Sequence, residues 1–290
     1  MKIFLIFIGI FLFVITSIFF YSLYRLHTEL NLHSPTDDLT RPDGLSYQTQ
    51  FVTTADKYHI AYWYSPVDYS KAVVILIHGL SIPGGKTQTL GHAKYLHDAG
   101  YTTAVIDLRS FGESSGEKIS LGTQEWKDVD AVFTALQALP ENKNKKIGLL
   151  GISMGATTAL VNAGVTHKPD FVIASVPFAD LDSLFHVQIQ KAGFPPSVIS
   201  PFMNLAARIE LGKNYTRFTP KSLVKDIHVP LLFISAGRDE QVSPHDALEL
   251  YTMANSPKEL WQVDSRHDVF GNHPEEFKQK VLLFLEKYAH

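Results

Sequence analysis

The chain has no cysteine. Disulfides, thiolate nucleophiles and zinc–thiolate sites are therefore excluded, while the compartment stays open, because a cysteine-free chain tolerates oxidising and reducing surroundings alike. A surplus of either charge is also missing: 26 basic residues stand against 29 acidic ones, a formal net charge of −3, with the basic residues scattered. That removes the electrostatic footprint of a nucleic-acid partner. The 13 histidines show no H-x-H or HExxH spacing, so neither a metal nor another cofactor is expected. Internal repeats and low-complexity tracts are absent as well.

Charge is most completely lacking at the amino terminus. From residue 3 to residue 24 there is none, and the run is almost wholly apolar. As a helix it reaches about 33 Å, enough to cross a bilayer core. Tyr21 and Tyr24 suit an interfacial belt, with Lys2 and Arg25 at the borders. A cleaved signal peptide would have a shorter apolar region and a small-residue cleavage site, and "YSLYRLHTEL" offers none. The expectation is a single-pass membrane anchor over residues 1–25, a turn-rich linker over 26–46, and one domain over 47–290. Lys2 on one side nearly balances Arg25 and Arg41 on the other. The domain is placed outside the cytoplasm because a signal-anchor commonly translocates the chain downstream of it.

What is present, at 45% hydrophobic residues, is ample for a large core. Residues 47–66 read as a β-hairpin bending at Ala55 to Lys57. Strands are expected at 71–79, 101–108, 146–150, 170–175, 229–237 and 259–264. Helices are expected at 87–99, 123–139, 154–163, 244–254 and 274–288. Continuous apolar strands alternating with helices imply an α/β class with a mostly parallel sheet covered on both faces. About fifty residues, 178–228, interrupt the rhythm without a strand of their own and read as a cap or binding insertion.

One polar residue sits on a cramped corner between strand and helix: Ser153, in Gly151-Ile152-Ser153-Met154-Gly155. G-x-S-x-G in that context projects a serine hydroxyl from the C-terminal end of a sheet. A serine attacks only if a base takes its proton and a third group holds the base. Asp239 follows a later strand and His267 follows the last one, in the order the turn requires. Glu240 is the competing acid. Asp264 and Asp268 share the loop of His267 and read as capping or solvent-facing. His273 and His78 read as structural, the latter shaping the loop after an early strand, and Arg238 as a surface residue beside the acid.

Four blocks, "ILIHGLS", "DLRSFGESSG", "GISMGA" and "SAGRDEQVSP" with "SRHDVF", together resemble the α/β-hydrolase fold over about residues 50–290. More narrowly they are similar to its membrane-anchored, short-capped, serine-peptidase-like members. The resemblance implies a catalytic triad of Ser153, His267 and Asp239, with an oxyanion hole from the backbone N–H groups of Met154 and Leu80. It implies a carboxylesterase or lysophospholipase-like activity on a small-molecule or lipid acyl substrate. A peptidase or amidase, an acyltransferase, and a non-catalytic scaffold remain open. Phe185, Phe194, Phe202, Met203, Leu205 and Ile209 of the cap either line an acyl tunnel or form the cap's own core. One departure stands out: many relatives carry glycine where this chain has Ser110.

Overall fold

The computed structural model describes residues 2–34, 45–80 and 85–289. Strands β1 (Gln48–Thr53) and β2 (His59–Ser65) form the expected hairpin. The remaining strands are β3 (Val73–Ile77), β4 (Thr102–Ile106), β5 (Ile147–Ile152), β6 (Val172–Ser175), β7 (Leu231–Ala236) and β8 (Lys258–Val263). Among the described residues they form one eight-stranded sheet in the order β1-β2-β4-β3-β5-β6-β7-β8. The β1–β2 and β2–β4 pairs are antiparallel, and every later pair is parallel.

The helices are α1 (Lys2–Leu30), α2 (Leu90–Asp98), α3 (Trp126–Ala138), α4 (Met154–Thr166), α5 (Leu181–Lys191), α6 (Pro196–Glu210), α7 (Pro220–Leu223), α8 (Pro244–Met253), α9 (Val269–Asn272) and α10 (Pro274–Tyr288). Strand alternation divides the core between the two faces. Val73, Ile75 and Ile77 pack with α3, α4 and α8; Val74 and Leu76 pack with α2 and α10. That double burial is why β3 reads as an unbroken apolar run. The segment 178–228 contributes α5, α6 and α7 as a helical cap.

Two helices begin later than their patterns suggest. Before α2, residues Lys86–Thr89 form a tight 3₁₀ turn, because the Lys86 ammonium is drawn into the interior between Asp107 and Glu113. Before α3, the buried Glu125 carboxylate accepts from the N–H groups of Ser120 (2.5 Å) and Gly122 (2.8 Å), which holds that stretch as a turn.

The larger difference lies at α1. The boundary expected at residue 25 is not a break: the helix runs to Leu30, and its end belongs to the hydrolase core. Leu26 and Leu30 are fully buried in the same cluster as Phe185 and Met203 of the cap. The Leu30 carbonyl accepts from the Ile119 N–H (2.8 Å), and Ser34 exchanges backbone hydrogen bonds with Ser110 and Gly112. Glu210, at the end of α6, binds both His27 and Lys118. Residues 26–34 therefore cannot act as a linker. Residues 35–44, the rest of the expected linker, lie outside the described residues. Upstream, α1 is the one helix among the described residues long and apolar enough to cross a membrane, over Ile6–Leu30.

Candidate active site

Ser153 occupies the turn between β5 and α4 with φ 54° and ψ −118°, backbone angles that side-chain-bearing residues avoid. The turn is held from both sides: the Ser153 N–H donates to the Ser175 carbonyl (2.8 Å), and its own carbonyl accepts from Thr157 (3.0 Å). The flanking glycines are steric necessities. A Cβ on Gly151 would overlap the Gly155 carbonyl, and one on Gly155 would overlap the carbonyl of Ile77. The strain at Ser153, typically about 1–3 kcal/mol, is thus sustained by a close approach that only two glycines permit.

Met154 is the first residue of α4, so its N–H is among the donors that have no acceptor within the helix. Leu80 follows Gly79, which presses on the serine: a Cβ there would stand 3.1 Å from Ser153 Cβ. Three groups hold this stretch. The Gly79 N–H donates to Gln88 Oε1 (2.5 Å). His78 Nε2 accepts from the Leu108 N–H (3.1 Å), which leaves the proton on Nδ1, facing the Gly79 carbonyl at 2.7 Å. Burial pushes the His78 pKa down, so the ring stays neutral in that tautomer. His78 is structural, as its position suggested. The supporting role of Gln88 carries no signal in the sequence, because nine residues and a 3₁₀ turn separate it from its partner.

Asp239 and His267 are brought together by an extension of the sheet beyond its strands. The Gly237 N–H donates to the Val263 carbonyl (2.8 Å) and the Arg238 N–H to that of Ser265 (2.9 Å), so the loops after β7 and β8 run side by side. Exposed Arg238 also buckles them through Asp264 (2.7 Å), a link with no signal in the sequence. Asp239, with its side chain 1% exposed, then meets His267 Nδ1 through Oδ2 at 2.7 Å. Its other oxygen accepts from the N–H groups of Gln241 (2.8 Å) and Val242 (3.0 Å), which fixes the carboxylate plane.

The competing groups are placed elsewhere. Glu240 is exposed. Asp268 caps α9 by accepting from the Gly271 N–H (2.8 Å). His273 precedes α10 and faces Glu276 at 3.5 Å. Ser110 has φ 68°, the left-handed region that glycine enters without penalty.

A cavity of about 440 Å³ opens between α1 and the cap helices, with Leu80 and Gln241 among the residues that line it. Phe185, Phe194 and Met203 line it, whereas Phe202, Leu205 and Ile209 do not. Phe185 and Met203 also belong to the buried core, whereas Leu205 and Ile209 are exposed and fill neither of the two roles left open for them.

Residues 68–224, more than half of the chain, match the family described as serine aminopeptidase, S33. The uncharacterized protein YqkD of Bacillus subtilis is 30% identical over 217 residues, covering 72% of this chain and 67% of that protein. The esterase EstD of Thermotoga maritima is 26% identical over 198 residues, 60% of this chain and 48% of EstD. The solved structure of the Pyrococcus furiosus esterase Pf2001 superposes with a TM-score of 0.74 at 25% identity, covering 90% of this chain and 100% of that one. The eight-stranded sheet with its helices on both faces, the family match and relatives of this kind lead to one conclusion: the chain is an α/β-hydrolase and belongs to the serine aminopeptidase, S33, family.

Proposed function

We propose that this hydrolase cleaves a carboxylic ester through a covalent acyl-enzyme on Ser153, and that α1 anchors it in a membrane. The observation that carries the reading is the Asp239–His267 pair at 2.7 Å, with the acid's second oxygen held by two backbone donors. A base so oriented keeps its proton on Nδ1 and offers Nε2 to a hydroxyl. Among the described residues Ser153 and His267 share no hydrogen bond; such contacts often tighten only when substrate is bound.

In the first step Ser153 Oγ bonds to the ester carbonyl carbon as its proton passes to His267 Nε2. The Met154 and Leu80 N–H groups meet the oxygen on which negative charge develops. The acyl–oxygen bond then breaks, and the imidazolium returns the proton to the leaving alcohol. Water, deprotonated by the same imidazole, attacks the acyl-enzyme and frees the acid. An ester suits this site better than a peptide because the adjoining cavity is mainly apolar. Two named esterases among the relatives favour the same bond, although the family takes its name from aminopeptidases.

The test is fluorophosphonate labelling together with hydrolysis of p-nitrophenyl esters by the full-length protein in detergent. Ser153→Ala should abolish labelling and lower kcat by roughly four to six orders of magnitude. Labelling and turnover that survive the substitution would place the nucleophile elsewhere.

A further inference from the structure

We propose that the amino-terminal helix is itself one wall of the substrate pocket, and that the pocket receives the acyl chain of a lipid ester drawn from the bilayer. This rests on the esterase reading above and specifies its substrate class.

The cavity of about 440 Å³ has two unlike sides. Tyr21, Ser22 and Arg25 of α1 form one; Leu184, Ile189 and Met203 of the cap form the other. Its volume lies within the ~300–1,000 Å³ range of small-molecule sites. Its lining includes Leu80, one residue from the glycine that abuts Ser153. A chain lying in it would therefore bring its carbonyl end to the nucleophile.

The outer surface points to where such a chain comes from. Phe7, Phe11 and Phe20, earlier on α1, are exposed, so apolar surface runs along one helix from its membrane-spanning part to the pocket wall. On the cap, Val198, Leu205 and Ile209 share one face of α6 at spacings of seven and four residues, and all three are exposed, as is the neighbouring Phe194. Helix α6 packs against α1, so this stripe stands beside the anchor, where a bilayer surface would cover it.

Ser22 supplies an independent sign of a ligand. Thr16 and Ser17, one turn or more upstream, return their hydroxyls to carbonyls four residues back, at 2.7 and 2.8 Å. Ser22 is 1% exposed, and its Oγ has no hydrogen-bond partner among the described residues. A buried polar group is costly unless something pairs with it. At the rim, Arg25 and Glu29 are joined at 2.8 Å yet half-exposed, a position suited to the polar head of an amphiphile.

The experiment compares kcat/KM for p-nitrophenyl dodecanoate and p-nitrophenyl butyrate, using the full chain in detergent micelles. Ser22→Trp, which fills the cavity from the anchor side, should lower the long-to-short ratio by roughly tenfold or more. Ile189→Trp, from the cap side, should do the same. Phe11→Trp, on the exposed upstream part of α1, should leave the ratio within about twofold of wild type. A ratio unchanged in both cavity variants overturns the proposal. A measurement on the wild type covers misfolding of those variants: a long-chain alkyl fluorophosphonate with a terminal diazirine is attached and photolysed. Cross-links within residues 21–32 support the proposal, and cross-links confined to other segments overturn it. If the wild type neither takes the fluorophosphonate nor hydrolyses either ester, the esterase reading itself fails; labelling with an unchanged chain-length ratio removes only the pocket assignment.

Discussion

Asp239→Asn separates orientation from mere proximity. In the wild type, Oδ1 accepts from the N–H groups of Gln241 and Val242, and Oδ2 faces His267 Nδ1. An asparagine keeps nearly the same shape, but only one of its two terminal atoms can accept. The two backbone donors claim that oxygen, because turning the amide over would set its NH2 against both of them. The NH2 must then face His267 Nδ1, which can answer only as an acceptor. The ring proton is forced to Nε2, where it points at the serine that needs deprotonating. The proposed base is still present but in the wrong tautomer. Loss of this kind costs about 10⁴ in kcat, equivalent to about 5 kcal/mol of barrier. The assay is p-nitrophenyl butyrate turnover at neutral pH, with thermal unfolding as the check on folding. Glu240→Gln, at an exposed neighbour, should stay within about twofold. Turnover by Asp239→Asn above roughly a tenth of wild type would refute the tautomer argument and with it the identity of the acid.

Three further outcomes concern other parts of the molecule. Leu26→Ala should cost about 3 kcal/mol and lower the melting temperature in detergent, because the side chain is fully buried in the hydrolase core rather than in lipid; an unchanged melt would mean that α1 does not dock. Ser110→Gly should stabilise by about 1 kcal/mol, since it relieves a left-handed backbone and removes a buried hydroxyl without a hydrogen-bond partner. A drop in denaturant midpoint would contradict this. Burial by itself would raise the Asp56 pKa, but hydrogen bonds from Thr54 and Arg109, with the charge of Arg109 behind them, hold it at about 2 instead of 3.8. The folded value lies below the unfolded one, so this contribution is complete above pH 4 and is lost as pH falls toward 2. Asp56→Asn should therefore weaken the protein at pH 7, by about 1 kcal/mol at most given its partial exposure, and should flatten its urea midpoint between pH 4 and 2.

The sheet and the two outer loops of the site were legible because each rests on a local rule. An apolar run such as 73–77 has one stable destination, a strand covered on both faces. The G-x-S-x-G corner is legible for a similar reason, as the overlaps at Gly151 and Gly155 leave no room for another residue. The features without a sequence signal depend on partners distant in the chain. Gln88 supports Gly79 across a turn whose shape is set by Lys86 entering the core, and nothing near either residue announces that. The link from Arg238 to Asp264 likewise exists only because β7 and β8 are neighbours in the sheet.

The amino-terminal helix shows how a local reading of hydropathy can end an element short of where the helix ends. Hydropathy distinguishes apolar residues from charged ones, and Arg25 is the first charge after Lys2, so hydropathy alone stops the anchor there. A helix that leaves a bilayer and docks on a protein must bury one stripe and solvate the other. Leu26 and Leu30, four apart, supply the buried stripe; Arg25 and Glu29, also four apart, pair on the other. The charge at which hydropathy ends the apolar run therefore lies where the helix begins to dock on the domain, with the helix unbroken through it. Because the domain packs directly on this stripe, the direction of α1 and the position of the cap are linked by the same contacts. If α1 spans a membrane as proposed, a perturbation at its surface would reach the cap through Leu26, Leu30 and Glu210.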